Sequence, residues 1–233
     1  MKLSILIPAY NEEKTIADVL DKVLAQNYAG WDKEIIVIND ASRDTTAEKI
    51  QPFLNQIKYL RHDYNQGKGA AIKTGLKEAA GEAIVIQDAD LEYNPADIQK
   101  LLDKFDPNNT PAIYGSRNLG LANTGYSHYV LGAKILTSLV NLFFGQKMTD
   151  VYTCYKLIRT DLFRDLNIQS RGFEIEMEIT AKILKKKLPI TEVAIHYYPR
   201  KFSEGKKIRF QDGLKGIWTL LKIKFPWLVS TIL

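Results

Sequence analysis

Ala83-Ile84-Val85-Ile86-Gln87-Asp88-Ala89-Asp90 is the stretch on which the fold turns. Five mostly apolar residues, bounded upstream by Gly81, read as a buried strand, and Asn94-Pro95 then breaks the chain before a new helix. Two carboxylates are thereby delivered to the carboxyl edge of a sheet, where open α/β folds place their ligands. Paired hard oxygen donors at such an edge suit Mg²⁺ or Mn²⁺ beside a polyphosphate. The plainer alternative is a turn or helix-capping aspartate pair.

Upstream of this stretch, strand and helix alternate. Leu3–Pro8 is predicted as a strand, followed by a helix capped by Asn11 with Ile16, Val19, Leu20, Val23 and Leu24 on one face. Glu34–Asn39 is a second strand, nearly continuously apolar as parallel sheets require. Asp44–Leu54 reads as helix, Ile57–Arg61 as a short strand and Gly67–Ala80 as helix. This order predicts an α/β protein with a mostly parallel sheet flanked by helices.

Downstream, Ala112–Gly115 and Leu188–Tyr197 are the expected strands, and His128–Phe144 and Phe173–Lys187 the expected helices. Arg200–Lys207 is a charged, Gly-containing loop. After it, Phe210, Leu214, Ile217, Trp218 and Leu221 form an amphipathic stripe. The chain thus divides into a main domain, residues 1–200, and a basic loop with a C-terminal amphipathic helix, residues 201–233.

Composition narrows the function. The net charge of +5 is concentrated between Arg200 and Lys224, where eight basic and two acidic residues give +6, so the remaining residues sum to −1. That is not the basic coat of a nucleic-acid binder; it suits phosphates or an anionic membrane surface, with a solvated helix face as the alternative. The single cysteine, Cys154, precludes an intrachain disulfide and fits a reducing compartment, and three scattered histidines do not make a zinc site. No window has the roughly 18 apolar residues of a membrane span, and the first apolar run is too short for a signal peptide.

Asn65-Gln66-Gly67-Lys68-Gly69 is not a P-loop, because His62 stands where the first glycine belongs and Gly69 follows the lysine. Nor is it a dinucleotide fingerprint, since Ile72 replaces the third glycine. Its glycines still allow a ligand to approach a helix start, unless they mark only an ordinary helix beginning. Pro8-Ala9-Tyr10-Asn11-Glu12, Asn39-Asp40-Ala41-Ser42 and Asp88-Ala89-Asp90 leave three strands on one edge of the predicted sheet and together define one cleft.

These segments, continued by Tyr114-Gly115-Ser116-Arg117, Thr149–Lys156, Gly172-Phe173-Glu174, Tyr198-Pro199-Arg200 and Glu204–Ile208, resemble the family 2 glycosyltransferases of GT-A fold. The resemblance spans residues 3 to about 220 and is strongest to the dolichol-phosphate mannosyltransferase and polyprenyl-phosphate glycosyltransferase branch. It implies that Pro8, Tyr10, Glu12 and Asp40 line the nucleotide pocket, closed by Lys68 and Gly69, with Asp88 and Ala89 facing the nucleotide and sugar. It implies a metal held by Asp90, with Asp88 and Glu92 beside it. Glu92 departs from the glutamine usual in the mannosyltransferases and adds negative charge. Arg200 and Lys206 would fold over the diphosphate on a mobile loop.

Arg117 matches an arginine that grips an acceptor phosphate, and Lys134 stands where the branch has a second arginine. Asp150 stands where members of the family place a carboxylate close to the sugar's reacting carbon. With a hydroxyl acceptor it would be the general base; with a lipid monophosphate, already largely ionised, it would position and stabilise charge. Glu174 and Glu178, sharing a helical face, read as pocket-rim or surface charges.

The expectation is a metal-dependent, inverting transfer of a hexose from a GDP-mannose- or UDP-glucose-type donor to a polyprenyl or dolichyl phosphate. The protein would be cytoplasmic and peripheral on the cytoplasmic face of the membrane. Transfer to a hydroxyl on a glycan or lipid, and a non-catalytic nucleotide-sugar binding module, are the alternatives. Nucleotidyl transfer is disfavoured, because Pro8-Ala9-Tyr10-Asn11 is not the Gly-rich, Arg-containing loop that such chemistry places after the first strand.

Overall fold

The computed structural model describes residues 1–119, 127–200 and 210–227, with side chains 127–130 and 210 outside that description. The elements run β1 (Lys2–Ala9), α1 (Ile16–Ala25), β2 (Asp32–Asn39), α2 (Thr46–Ile50), β3 (Lys58–Arg61), α3 (Lys68–Glu78), β4 (Ala83–Ile86) and α4 (Ile98–Leu102). They continue as β5 (Ala112–Ser116), α5 (Ser127–Phe144), β6 (Lys156–Arg159), α6 (Thr160–Asp165), α7 (Ile175–Lys185), β7 (Thr191–Ala194) and α8 (Phe210–Lys224).

One seven-stranded sheet has the order β3-β2-β1-β4-β6-β5-β7. β1 to β4 are parallel, with Ile5 in register between Ile35 and Val85. Leu3, Ile5, Leu6 and Ile7 are all fully buried, the mark of a central strand covered on both faces. β6 inserts antiparallel between β4 and β5, and β7 pairs parallel with β5 at the edge.

Several expectations are corrected. β6 was not expected at all, and its lysine-led run Lys156–Arg159 owes its strand state to the two neighbours it pairs with. The strand expected over Leu188–Tyr197 shortens to Thr191–Ala194, beginning beyond Pro189, which has no N–H for a ladder. Asn11 does not cap α1: it adopts φ 49°, its Oδ1 accepts from Arg43 N at 2.9 Å, and α1 starts after Thr15.

α8 is also rotated relative to its expected stripe. Leu220 is fully buried and Ile217 and Ile223 pack on the core, whereas Leu214 and Trp218 are 52% and 46% exposed. Gly216 explains this, since a Cβ there would lie 1.9 Å from the Tyr152 hydroxyl. The glycine lets the helix backbone seat directly on that ring. α5 is likewise two-sided, with Leu136 and Val140 buried and Leu131, Ile135 and Leu142 exposed. No helix among the described residues is long and apolar enough to cross a membrane.

Candidate active site

β1, β2 and β4 run parallel, so the segments following them share one edge of the sheet. Past β4, Asp88 Oδ1 lies 2.7 Å from Lys68 Nζ at the first position of α3. Lys68 in turn lies 3.0 Å from Glu176 Oε1, a contact that is ionic rather than an aligned hydrogen bond. Glu176 Oε2 pairs with the fully buried Lys156, whose ammonium also donates to Thr153 O at 2.5 Å. Two carboxylates and two ammoniums thus alternate from the cleft into the core. Burial pushes the Asp88 carboxyl up, but Lys68, with Cys154 and Arg200 adding to it, holds the group below its ordinary value.

Glu176 and Lys156 are site residues the sequence reading missed. The signal was Glu174, Glu176 and Glu178 at two-residue spacing, because acids on opposite faces of one helix require that some point inward.

Asp90 has the opposite electrostatics. Burial first, then the charges of Asp88 and Glu92, push its carboxyl up to about 7, with Arg200 opposing them. The Arg200 guanidinium bridges Asp90 Oδ2 and Glu12 Oε2, each at 3.1 Å. Glu92 faces the protein: its oxygens accept from Tyr197 Oη and Arg200 N, both at 2.8 Å.

Among the described residues, no group of three His, Cys, Asp or Glu is preformed as a metal cage. The donor set nevertheless fits a hard divalent cation. Asp90 carries a carboxylate whose charge its surroundings disfavour, and a guanidinium cation already sits on it. Mg²⁺-type ions ordinarily combine one or two carboxylates with substrate phosphates and water.

Of the residues expected to line a nucleotide pocket, Pro8 and Tyr10 are half-buried, and Glu12, Asp40 and Ala89 are buried. Asp40 organises its own surroundings, accepting from Gln66 N at 2.8 Å and Gly67 N at 2.7 Å and meeting His62 Nδ1 at 2.7 Å. Gly67 (φ 94°) and Gly69 serve packing rather than ligand approach, because a Cβ on Gly69 would stand 2.6 Å from Ser170 O. Glu178 holds that apposed loop, accepting from Gln169 N and Ser170 N at 2.9 and 2.7 Å. Glu174 accepts from Gly172 N at 3.0 Å. The expectation that Glu174 and Glu178 are rim or surface charges is therefore corrected for Glu178, which is buried, whereas Glu174 is half-buried; both brace the loop on which the Lys68 turn rests.

On the side expected from sequence to face the acceptor, Asp150 is fully buried and engages Arg117 three times: Nε at 2.7 Å, Nη2 at 2.8 Å and the backbone N at 3.1 Å. Burial pushes the Asp150 carboxyl up, but Arg117 outweighs it and holds the group below the usual range. Glu192 supports the turn from behind through Thr149 N and Asp150 N, at 2.8 and 2.9 Å. Lys134 is exposed on α5 and takes part in none of these ion pairs; Lys206 lies outside the described residues.

The family model for Glycosyl transferase family 2 matches residues 4–166, the span holding every sheet-edge residue up to Asp150. The chain belongs to glycosyl transferase family 2. This family 2 glycosyltransferase is 30% identical, over 83% of its length and 87% of the other's, to an uncharacterized protein of Methanocaldococcus jannaschii. It is 28% identical to a dolichol-phosphate mannosyltransferase of Pyrococcus furiosus, over 93% of its own length but only 60% of that relative's. Identity is also 28% to a dolichyl-phosphate beta-glucosyltransferase of Trichomonas vaginalis, covering 95% and 72% of the two chains. Its fold is similar to that of glucosyl-3-phosphoglycerate synthase from Mycobacterium tuberculosis, solved with Mn²⁺, uridine-diphosphate and phosphoglyceric acid. The TM-score is 0.75 at 17% identity, over 96% and 78% of the chains. The GT-A-like architecture expected from sequence is thus the observed one.

Proposed function

We propose that this glycosyltransferase moves a hexose from a nucleoside-diphosphate sugar to a polyprenyl-type phosphate, with inversion at the anomeric carbon. The observation that carries this reading is the Arg117–Asp150 pair. A hydroxyl acceptor needs a free base, and here the carboxylate in the expected position is buried and engaged at both oxygens by a guanidinium. A phosphomonoester is already largely ionised near neutral pH, so it needs an electropositive grip rather than a base. Arg117, with 20% of its side chain exposed, supplies that grip.

Asp90, flanked by Asp88 and Glu92, would hold Mg²⁺ or Mn²⁺ against the donor diphosphate. The metal would offset the charge that gathers on the departing nucleoside diphosphate. Arg200 serves the same end from the protein, moving from its bridge between Glu12 and Asp90 onto the diphosphate, with Lys206 following it in sequence. The relatives named for dolichyl-phosphate transfer and the Mn²⁺- and uridine-diphosphate-bound fold neighbour support this assignment.

Attachment to a membrane surface completes the reading. Leu131, Ile135 and Leu142 of α5, and Leu214, Trp218 and Trp227 in and after α8, are at least 46% exposed. Lys134, Lys215 and Lys222 are exposed on the same two helices. Apolar anchors among cations suit an anionic interface.

The test is transfer from radiolabelled UDP-glucose or GDP-mannose to polyprenyl phosphate with Mg²⁺ or Mn²⁺. A lipid-linked product formed only with metal is expected. Transfer to the hydroxyl of a polyprenol, but not to its phosphate, overturns the reading.

A further inference from the structure

Tyr197 lies between the two arginines that the proposed function assigns to opposite ends of the reaction. The Arg117 guanidinium carbon sits 5.1 Å from the centre of the Tyr197 ring. From the same ring, Oη donates to Glu92 Oε2 at 2.8 Å, and the other oxygen of Glu92 accepts from Arg200 N at 2.8 Å. The ring is 8% exposed and packs on Tyr93 with centroids 5.4 Å apart. The backbone repeats the attachment, since Tyr198 N donates to Glu92 O at 2.9 Å and Tyr93 bridges Tyr197. One rigid side chain with two rotatable bonds therefore touches Arg117 through its face and the Arg200 anchor through its edge.

We propose that Tyr197 is a positioning residue that sets Arg117 and Arg200 relative to each other, registering the acceptor anion against the donor diphosphate. The face and the hydroxyl perform separable tasks. A cation over an aromatic face is attracted by the ring quadrupole, which favours one plane for the guanidinium and limits its swing away from Asp150. The hydroxyl donates to Glu92 Oε2 and holds Glu92 in the rotamer whose other oxygen receives Arg200 N. Glu92 thus acts toward the basic segment as the anchor of its first residue. No signal in the sequence marks Tyr197 apart from its neighbour Tyr198, which is 54% exposed. Only the fold tells the two apart.

The assignment to Arg117 rests on the proposed acceptor, whereas the assignment to Arg200 does not, and the experiment keeps them separate. Tyr197→Phe retains the ring and deletes the hydroxyl. Mn²⁺-dependent binding of UDP and of GDP, measured by calorimetry on the full chain, should weaken roughly tenfold for the nucleotide that the parent binds. That is about the worth of one hydrogen bond to a charged group. KM for polyprenyl phosphate should stay within about twofold of the parent, since the face under Arg117 is intact.

Tyr197→Leu removes face and hydroxyl together and should raise that KM roughly tenfold or more in addition. Glu92→Gln should weaken nucleotide binding like Tyr197→Phe, and the double variant should be no worse than either single one, because both break one link. Parent-like nucleotide affinity in a folded Tyr197→Phe overturns the proposal, as does strict additivity with Glu92→Gln. Equal acceptor KM in the Phe and Leu variants removes the Arg117 half. If polyprenyl phosphate is no acceptor at all while nucleotide binding still falls in Tyr197→Phe, the acceptor reading fails and the donor half of the proposal stands.

Discussion

Asp150 and Arg117 meet through two side-chain hydrogen bonds of 2.7 and 2.8 Å, and the Arg117 backbone N–H adds a third at 3.1 Å. The carboxylate is the buried member and the guanidinium the one that reaches the cleft, with side chains 1% and 20% exposed. The pair therefore presents a positive charge to the cleft while its negative charge stays behind.

Asp150→Asn tests what that charge does. Removing one partner of a buried pair should cost about 3 kcal/mol of stability, and transfer should fall because Arg117 is no longer held. The folded carboxyl lies below its ordinary value, so the stabilisation is present above the unfolded pKa near 3.9 and is lost as pH falls through the folded value. Acid unfolding followed by circular dichroism should thus be shallower in the variant. Near neutral pH the rate profile of the parent should lack a limb that disappears in Asp150→Asn; such a limb would make Asp150 a base.

Asp90 gives the reverse sign. With its carboxyl raised to about 7, folding is favoured while the group is protonated and loses that advantage as pH rises through 7. Metal-free protein should melt at lower temperature at pH 8 than at pH 6, and Asp90→Asn should flatten the difference. Mn²⁺ with nucleotide should stabilise the parent and not the variant, and turnover should stop in excess EDTA. Parent-like turnover by Asp90→Ala would remove the metal role.

Glu176 and Lys156 predict a rescue. Glu176→Gln leaves the buried Lys156 without its carboxylate, and Lys156→Met leaves Glu176 with Lys68 alone, so each should cost about 3 kcal/mol by urea denaturation. The double variant should recover at least half of the summed loss, because neither orphan remains. Additive losses would mean that the alternation of charge along Asp88, Lys68, Glu176 and Lys156 is incidental.

Trp218 and Leu214 are the surface test. Both lie on the outward side of α8. Trp218→Glu with Leu214→Glu should leave the melting temperature within a few degrees while reducing flotation with anionic liposomes at low salt. Binding by the parent should fall as salt rises, since cations near a charged interface contribute about 1 kcal/mol each. A parent protein that stays with the soluble fraction would leave those side chains for contact with another protein surface.

What the sequence determined by itself was local and periodic. The unbroken apolar runs of β1, β2 and β4 can be buried only in a covered sheet. Asp88 and Asp90, immediately after β4, have nowhere to stand but its carboxyl edge. Partnership was not in the sequence, because it depends on which distant segments the sheet order brings together. β6 is a strand only because β4 and β5 flank it, and its antiparallel insertion places Lys156 under Glu176. Arg117 and Asp150 are separated by 33 residues, and Arg200 and Glu12 by 188. No spacing rule spans such intervals. Tertiary structure also decided which acids work outward: Glu178, Asp40 and Glu92 read as cleft or surface carboxylates, yet Glu178 and Asp40 accept from backbone N–H groups with both oxygens, and Glu92 accepts from Arg200 N and the Tyr197 hydroxyl. A loop that folds back on itself must satisfy its amides, and a buried carboxylate is the strongest acceptor at hand.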